Sequence, residues 1–188
     1  CAGLITGTTT DPTSYTEQGT YTITWTYDDG NGNVVTQEQT VIVDDTIAPV
    51  PTLTQLAVIS GQCAVEVTAP TADDNCAGLI TGTTTDPTSY TEQGTYVITW
   101  TYDDGNGNVV TQEQTVIVDD TIAPVPTLAQ LAVISGQCAV EVTAPTANDA
   151  CEGVITGTTT DPLTYDAQGT YTITWTYDDG NGNISTQE

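Results

Sequence analysis

A repeat of 75 residues is the feature that most constrains what this chain can fold into. The segment CAGLITGTTTDP begins at Cys1 and again at Cys76, and the similar CEGVITGTTTDP begins at Cys151. Copies this similar indicate that the number of repeats matters, because a unique active site would need only one copy. Residues 1–75 and 76–150 differ only at the aligned pairs Thr22/Val97, Thr54/Ala129, Asp73/Asn148 and Asn75/Ala150.

The repeat divides the chain into three predicted domains. We expect residues 1–43 to be the C-terminal part of one repeat, 44–118 to be a complete repeat, and 119–188 to be a repeat that stops before its last strand. These are called the first, middle and last repeat below. Because the chain starts and stops within a repeat, we expect it to be part of a longer array.

Each repeat carries strong strand signals and no useful helical periodicity. Residues 21–27 alternate large apolar side chains with Thr, and the same pattern recurs at 96–102 and 171–177. An Asn-Gly turn follows each of them, and shorter strands are expected before the next copy. The pattern predicts an all-β fold, built as tandem immunoglobulin-like β-sandwich repeats of 75 residues. The further segments predicted in the middle repeat are a strand over 34–43, a proline-containing edge segment over 47–51, and strands over 56–59, 63–68 and 79–84.

The charge of the chain excludes several classes of function. It has no Lys, Arg or His and 25 acidic residues, which gives a formal net charge of −25. Nucleic acids and anionic membranes would repel such a chain, and no segment is long and apolar enough for membrane insertion. The chain has no His to act as a general base and no Lys or Arg to stabilise an oxyanion, so we do not expect an enzyme.

The cysteine spacing predicts disulfides. Cys63 and Cys76 lie 13 residues apart, as do Cys138 and Cys151, which leaves Cys1 over. In a secreted type of chain, this spacing favours the pairs Cys63–Cys76 and Cys138–Cys151. A zinc site is disfavoured, because no CxxC motif and no His accompanies the cysteines.

Acidic residues are concentrated in three recurring clusters. In an immunoglobulin-like topology, the start of a domain, its B–C loop and its F–G loop lie at one end, so the clusters should converge at the junction with the preceding repeat. Carboxylates brought this close repel each other unless a cation lies among them, and oxygen ligands suit Ca²⁺. The alternative is ordinary solvated turns, which also favour Asp and Asn. The predicted calcium ligands are Asp44, Asp45, Asp73, Asp74, Asp103, Asp104 and Asn106, and in the last repeat Asp119, Asp120, Asp149, Asp178 and Asp179. A weaker site is expected in the last repeat, where the second cluster reads Asn148-Asp149-Ala150.

Three segments of the repeat resemble the hyalin repeat, an immunoglobulin-like module of extracellular adhesive proteins. They are DTIAP at 45–49, VEVTAPTADDNC at 65–76 and GTYVITWTYDDGNGN at 94–108. Typical members carry two further cysteines, and here Gln112 stands near the position of one of them. The acidic, Thr-rich version is most similar to the repeats of giant surface adhesins of gliding bacteria, which the type IX system exports.

The resemblance implies a location and partners. We expect an extracellular, cell-surface stalk that contacts neighbouring repeats, extracellular surfaces or polysaccharide, and motility or anchoring machinery outside this chain. The Asp-Thr-Ile motifs also resemble O-glycosylation acceptors of the same bacterial group, with Thr46 and Thr121 as the acceptors. Two alternatives remain open: a module in which each repeat binds polysaccharide, favoured by exposed aromatic residues, and a self-associating filament joined through free strand edges.

Overall fold

Every regular element of the described chain, residues 3–188 of this computed structural model, is a β-strand. The predicted all-β fold of tandem sandwich repeats is confirmed. No helix capable of crossing a membrane occurs in those residues. The strands up to the middle of the chain are β1 (Gly19–Asp28), β2 (Val34–Val43), β3 (Val50–Pro51), β4 (Ile59–Gly61), β5 (Val65–Glu66), β6 (Thr71–Asp74), β7 (Gly78–Thr81), β8 (Ser89–Tyr90) and β9 (Gly94–Asp103). The remainder are β10 (Val109–Val118), β11 (Val125–Pro126), β12 (Val140–Glu141), β13 (Thr146–Asp149), β14 (Gly153–Thr156), β15 (Thr164–Tyr165), β16 (Trp175–Asp178) and β17 (Ile184–Gln187).

The chain divides into two compact units that do not follow the repeat boundaries. Within the described residues, the first unit comprises residues 3–54, Pro70–Thr83 and Thr101–Thr111. The second comprises Gln55–Ala69, Thr84–Trp100 and Gln112–Glu188.

The first unit contains the antiparallel hairpin of β1 and β2, whose register pairs Gly19 with Val43 and Asp28 with Val34. Its loop has Gly30 at φ 76° and Gly32 at φ 90°, a backbone region that favours glycine. The unit also holds the antiparallel sheet β3–β6–β7. The predicted alternation therefore forms a hairpin closed by the predicted Asn-Gly turn.

The second unit shows how a sandwich core forms. One sheet has the order β11–β13–β14, and a second consists of β16 and β17. Ala147 on β13 packs with Trp175 and Tyr177 on β16, and all three are buried. Trp175 and Tyr177 of the alternating segment thus face the core between two sheets, as expected for a half-buried strand, while Tyr171 at its start is 49% exposed.

A tyrosine near the start of the alternating segment ties it to the backbone in each repeat. The Tyr21 hydroxyl donates to the Glu17 carbonyl over 2.9 Å, and the Tyr96 hydroxyl donates to the Glu92 carbonyl over the same distance. The equivalent bond from Tyr171 to the Ala167 carbonyl is 3.4 Å long. This arrangement corresponds to the tyrosine corner of immunoglobulin-like sandwiches.

Several strand predictions were inaccurate in extent. The strand predicted over 171–177 begins only at Trp175, and the one over 63–68 is reduced to Val65–Glu66. Strands β6 and β13 were missed altogether, because their Asp and Asn residues are typical of turns. Both are nevertheless strands, since each pairs with the strand that follows it.

Candidate metal centre

One carboxylate from each acidic cluster meets in the first unit. Oxygen atoms of Asp45, Asp74 and Asp104 all lie within 4.8 Å of one another. Asp45 follows β2 and is only 6% exposed, Asp74 ends β6, and Asp104 follows β9. The three segments that the immunoglobulin-like topology places at one end of a domain therefore meet here.

Local hydrogen bonds hold each carboxylate in place. The backbone N–H groups of Cys76 and Ala77 both donate to Asp74 Oδ1 over 2.8 Å. Asn108 Nδ2 donates to Asp104 Oδ2 over 2.6 Å and to the Asp45 carbonyl over 3.0 Å. Asn108 therefore joins the F–G loop to the first residues of its own repeat.

The environment shifts the pKa of two groups in this cluster. Desolvation tends to raise the pKa of Asp104, but hydrogen bonds from Asn108 and from the Asn106 backbone outweigh it and leave that pKa below its ordinary value. The pKa of the Cys76 thiol is raised, first by desolvation and then by the negative charges of Asp45, Asp74 and Asp104. Asp104 is thus held ionised, while Cys76 is held as a thiol.

One carboxylate oxygen of the cluster has no hydrogen-bond partner among the described residues. Within the described residues, Asp74 Oδ2 is buried and accepts no hydrogen bond. A buried carboxylate oxygen in that state is costly unless a cation compensates it. Several hard oxygen atoms around one point are the ligands that Ca²⁺ prefers. The residues present therefore fit a calcium ion.

A related group lies in the second unit. It consists of Asp120, Asp149 and the sulfur of Cys151, again within 4.8 Å of one another. Asp120 is 4% exposed, and its Oδ2 atom, like that of Asp149, is buried without a hydrogen-bond partner among residues 3–188. Asp179 is also buried, and Asn183 Nδ2 donates to its Oδ2 over 2.7 Å.

The remaining predicted ligands lie outside these two groups. Asn106 directs its amide nitrogen at Asp45 Oδ2, 3.2 Å away, and so acts as a donor there. Asp103 and Asp178 accept hydrogen bonds from backbone N–H groups of their own turns. The predicted ligands outside both groups that are exposed are Asp44, Asp73, Asp103, Asn106, Asp119 and Asp178.

The sequence Asn148-Asp149-Ala150 is not what distinguishes the site of the last repeat from the first group. Asn148 replaces Asp73, but Asp73 is exposed and outside the first group, so this exchange removes no ligand. The difference is that the second group offers two carboxylates in place of three, because the Cys151 sulfur is bonded to Cys63 and supplies no thiolate ligand. A weaker second site stays a prediction on that basis.

The predicted disulfide pairs were wrong. Cys63 bonds to Cys151, with the Cα atoms 5.1 Å apart, while Cys76 and Cys138 are free and exposed. Cys138 precedes β12, and Cys151 lies in the turn between β13 and β14, so the 13-residue interval contains two extended segments. With two strands between the cysteines, their spacing along the chain does not fix their separation in space. Cys1 lies outside the described residues.

Two glutamines that carried no sequence signal hold the start of the last repeat. The Thr121 N–H donates to Gln62 Oε1 over 2.9 Å, and the Asp120 N–H donates to Gln93 Oε1 over 2.8 Å. The Asp45 N–H makes the equivalent bond to Gln18 Oε1 over 2.9 Å in the first unit. Side chains of one repeat thus bind the backbone at the start of the next. Thr46 and Thr121, the predicted glycosylation acceptors, are both exposed.

The fold and this site define a class: tandem β-sandwich repeats with acidic junctions and a disulfide between repeats. The family model of the HYR-like domain with 4 cysteines matches residues 47–118 and 122–187. The chain belongs to that family, as the hyalin-repeat resemblance predicted. Each matched segment holds two cysteines, Cys63 and Cys76 in the former and Cys138 and Cys151 in the latter.

Individual relatives add little beyond the family. Hyalin of Strongylocentrotus purpuratus is 32% identical over 194 residues, covering 93% of this chain and 16% of hyalin. The chain thus spans about a sixth of that protein. Among solved structures, an endo-fucoidan hydrolase of glycoside hydrolase family 107 is 14% identical and covers 97% of this chain and 36% of the hydrolase. Its TM-score of 0.24 is too low to indicate a common fold.

Proposed function

We propose that the chain is a structural stalk segment of an extracellular adhesive protein, in which calcium stiffens the start of each repeat. The observation that carries the proposal is the group of Asp45, Asp74 and Asp104, gathered from three segments with an unpartnered buried oxygen. A single ion bound there would join the start of a repeat to its B–C and F–G loops.

Calcium would act together with the contacts already present. Gln18 holds the Asp45 backbone from the preceding repeat, and Asn108 holds it from the F–G loop. An ion on the Asp45 carboxylate would add a third constraint on the same residue. The conformational freedom of the segment between repeats is thereby reduced, which is what a stalk requires in order to hold a distal site away from a surface.

A stalk is supported over a polysaccharide-binding module by the placement of the aromatic residues. Trp100 is 2% exposed and Trp175 is 3% exposed, so neither offers a face for sugar stacking. The paired rings of Tyr90 and Tyr96 lie 4.4 Å apart, and the Tyr96 hydroxyl is engaged with the backbone. These aromatic residues support the fold. Multivalent attachment would instead come from the number of repeats or from domains elsewhere in the protein.

The finer form of the proposal is a bacterial cell-surface adhesin of the gliding type, exported by the type IX system. It rests on the acidic, Thr-rich character of the repeats. The disulfide supports an oxidising, extracellular location. Extracellular surfaces or polysaccharide, and surface motility or anchoring machinery, are the partners proposed for the whole protein.

Thermal unfolding with and without calcium tests the proposal. The chain is first stripped with a chelator and then melted in chelator and in excess CaCl₂. We expect calcium to raise the melting temperature, because it binds the folded state and not the unfolded chain. At a calcium concentration 100 times the dissociation constant, the stabilisation would be about 2.7 kcal/mol.

Matched variants locate the effect. Asp45→Asn with Asp74→Asn removes two carboxylates of the group, and Asp44→Asn with Asp73→Asn removes two exposed carboxylates beside it. The first pair should lose most of the calcium response of this site, and the second should keep it. An unchanged melting temperature in calcium, or equal losses in both variants, would contradict the proposed calcium site.

A further inference from the structure

The disulfide of this chain joins two successive repeats. Cys63 belongs to the family-matched segment 47–118 and Cys151 to the segment 122–187, and 88 residues separate them along the chain. The bond reaches from a loop before β5 to the turn between β13 and β14. The bond therefore connects the middle repeat to the last repeat covalently.

The two free cysteines occupy the equivalent positions in the neighbouring copies. Moving along the chain by one 75-residue repeat takes Cys63 to Cys138, and moving back by one takes Cys151 to Cys76. Both Cys76 and Cys138 are exposed thiols. Each is thus the counterpart of one half of the bond that the structure already contains.

The loop that carries Cys138 is held in the same way as the loop that carries Cys63. Gln93 Nε2 donates to the Gln62 carbonyl over 3.1 Å, and Gln168 Nε2 donates to the Gln137 carbonyl over 3.2 Å. The residue before each cysteine therefore makes the same contact in both copies, whether or not the cysteine is bonded.

The turn that carries Cys76 likewise matches the turn that carries Cys151. The Cys76 N–H donates to Asp74 Oδ1 over 2.8 Å, and the Cys151 N–H donates to Asp149 Oδ1 over the same distance. The loop and the turn that hold the two bonded cysteines therefore have the same hydrogen bonds around the free cysteines of the neighbouring copies.

We propose that Cys138 and Cys76 are sites of inter-repeat disulfide formation, each taking the thiol of the equivalent cysteine in an adjoining repeat. Cys138 bonds to the counterpart of Cys76 in a repeat that follows, and Cys76 bonds to the counterpart of Cys63 in a repeat that precedes. In an array of these repeats, one disulfide between cysteines 88 residues apart then cross-links the two repeats at every junction.

The bond forms by thiol–disulfide exchange with a low-molecular-weight disulfide such as oxidised glutathione. One cysteine thiolate attacks that disulfide and releases one glutathione thiolate, which takes up the proton lost by the cysteine. The second cysteine thiolate then attacks the mixed disulfide and releases the other glutathione thiolate, which takes up the second proton. The two cysteines are oxidised and the glutathione disulfide is reduced to two thiols. This inference goes beyond the proposed function, because the inter-repeat disulfides form with or without calcium.

Disulfide mapping of a lengthened chain tests the proposal. Residues 114–188 are copied once more after Glu188, which continues the repeat in register, and the protein is folded in a glutathione redox buffer with chelator present. Peptides are produced with proteases that cut at acidic residues, because the repeat contains no Lys or Arg. We expect a peptide containing Cys138 joined to the added counterpart of Cys76, and Cys138 should no longer react with iodoacetamide.

Two internal controls accompany the mapping. The Cys63–Cys151 peptide should persist, which shows that the lengthened chain keeps its fold. Cys138→Ser should leave the added counterpart of Cys76 open to alkylation. The proposal is overturned if Cys138 stays alkylatable while Cys63–Cys151 forms, or if Cys138 takes the place of Cys63 as the partner of Cys151. Since chelator is present throughout, failure here is distinct from failure of the calcium proposal.

Discussion

At the scale of single residues, acidic and amide side chains in this protein mostly satisfy backbone groups. Asp86, in the TTTDP motif, accepts a hydrogen bond from the Thr99 N–H over 2.8 Å, and Asp161 does the same for Thr174 over 2.9 Å. The large negative charge is therefore partly structural. Asp86 and Asp161 lie outside the two candidate calcium groups.

The Asp86 contact gives a first prediction. Asp86→Ala leaves the Thr99 N–H without its charged acceptor, so we expect the free energy of unfolding to fall by about 1 to 2 kcal/mol. Chemical denaturation measures the change. Glu92→Ala removes the same charge from an exposed side chain and should change stability by less than about 0.5 kcal/mol. Equal losses in the two variants would show that net charge, and not the hydrogen bond, is responsible.

The lowered pKa of Asp104 gives a pH-dependent prediction. A carboxyl group with a depressed pKa in the folded state stabilises above its ordinary value of 3.8, and that stability is lost as pH falls through the folded pKa. Asn108→Ala removes the donor that lowers this pKa. The melting temperature of the variant should fall below that of the parent at pH 7, and the gap should narrow below pH 3.8.

Asn148→Ala, which removes an exposed amide on β13, serves as the control for this experiment. It should follow the parent at every pH. A gap between the Asn108→Ala variant and the parent that stays constant with pH would show that Asn108 acts without affecting the ionisation of Asp104.

At the scale of secondary-structure elements, close packing under the buried aromatic residues fixes how the TTTDP segment approaches the core. A Cβ atom on the buried Gly157 would lie 3.0 Å from Tyr177 Cε1, 3.2 Å from the Pro145 carbonyl oxygen and 3.3 Å from Trp175 Cε3. Because one of these neighbours is backbone, the site cannot adjust by a side-chain rotation alone.

Gly157→Ala should therefore destabilise the last repeat by about 1 to 3 kcal/mol through overpacking. Denaturant unfolding followed by tryptophan fluorescence reports on it directly, since Trp175 lies against the site. Thr160→Ala, an exposed position in the same segment, should be close to neutral. A neutral Gly157→Ala variant would mean that the sheets shift to make room.

Sequence patterns predicted the elements that have a clear period and missed those that do not. The alternation and the turn motif predicted β2 at its observed bounds, Val34–Val43, and the loop topology brought the three acidic segments together. The disulfide was mispredicted, because spacing along the chain does not give distance in space once strands intervene. Gln62 and Gln93 were missed because glutamine side chains that bind a neighbouring backbone leave no sequence pattern.

At the scale of the whole molecule, the disulfide changes how tension would pass along the chain. A force on the two ends is carried across the Cys63–Cys151 bond, so the 88-residue span between these cysteines cannot be extended while the bond is intact. A stalk built of such repeats would resist extension even if a repeat unfolded.

Single-molecule stretching between the chain ends tests whether the disulfide protects the 88-residue span from extension. Reduction with dithiothreitol should lengthen the fully extended chain by about 300 Å, at about 3.5 Å for each released residue. Cys63→Ser should show the longer length without reductant, and Cys138→Ser should behave as the parent. An extended length that reductant does not change would show that the Cys63–Cys151 disulfide does not carry the force.

The proposed stalk depends on calcium binding between the three segments that meet at the start of a repeat. Calorimetric titration of CaCl₂ into the chelator-stripped chain tests it most directly. We expect saturable binding at two sites, the second weaker than the first. The stronger site should be lost in Asp45→Asn with Asp74→Asn and kept in Asp44→Asn with Asp73→Asn. No saturable heat of binding, or equal binding by both double variants, would contradict it.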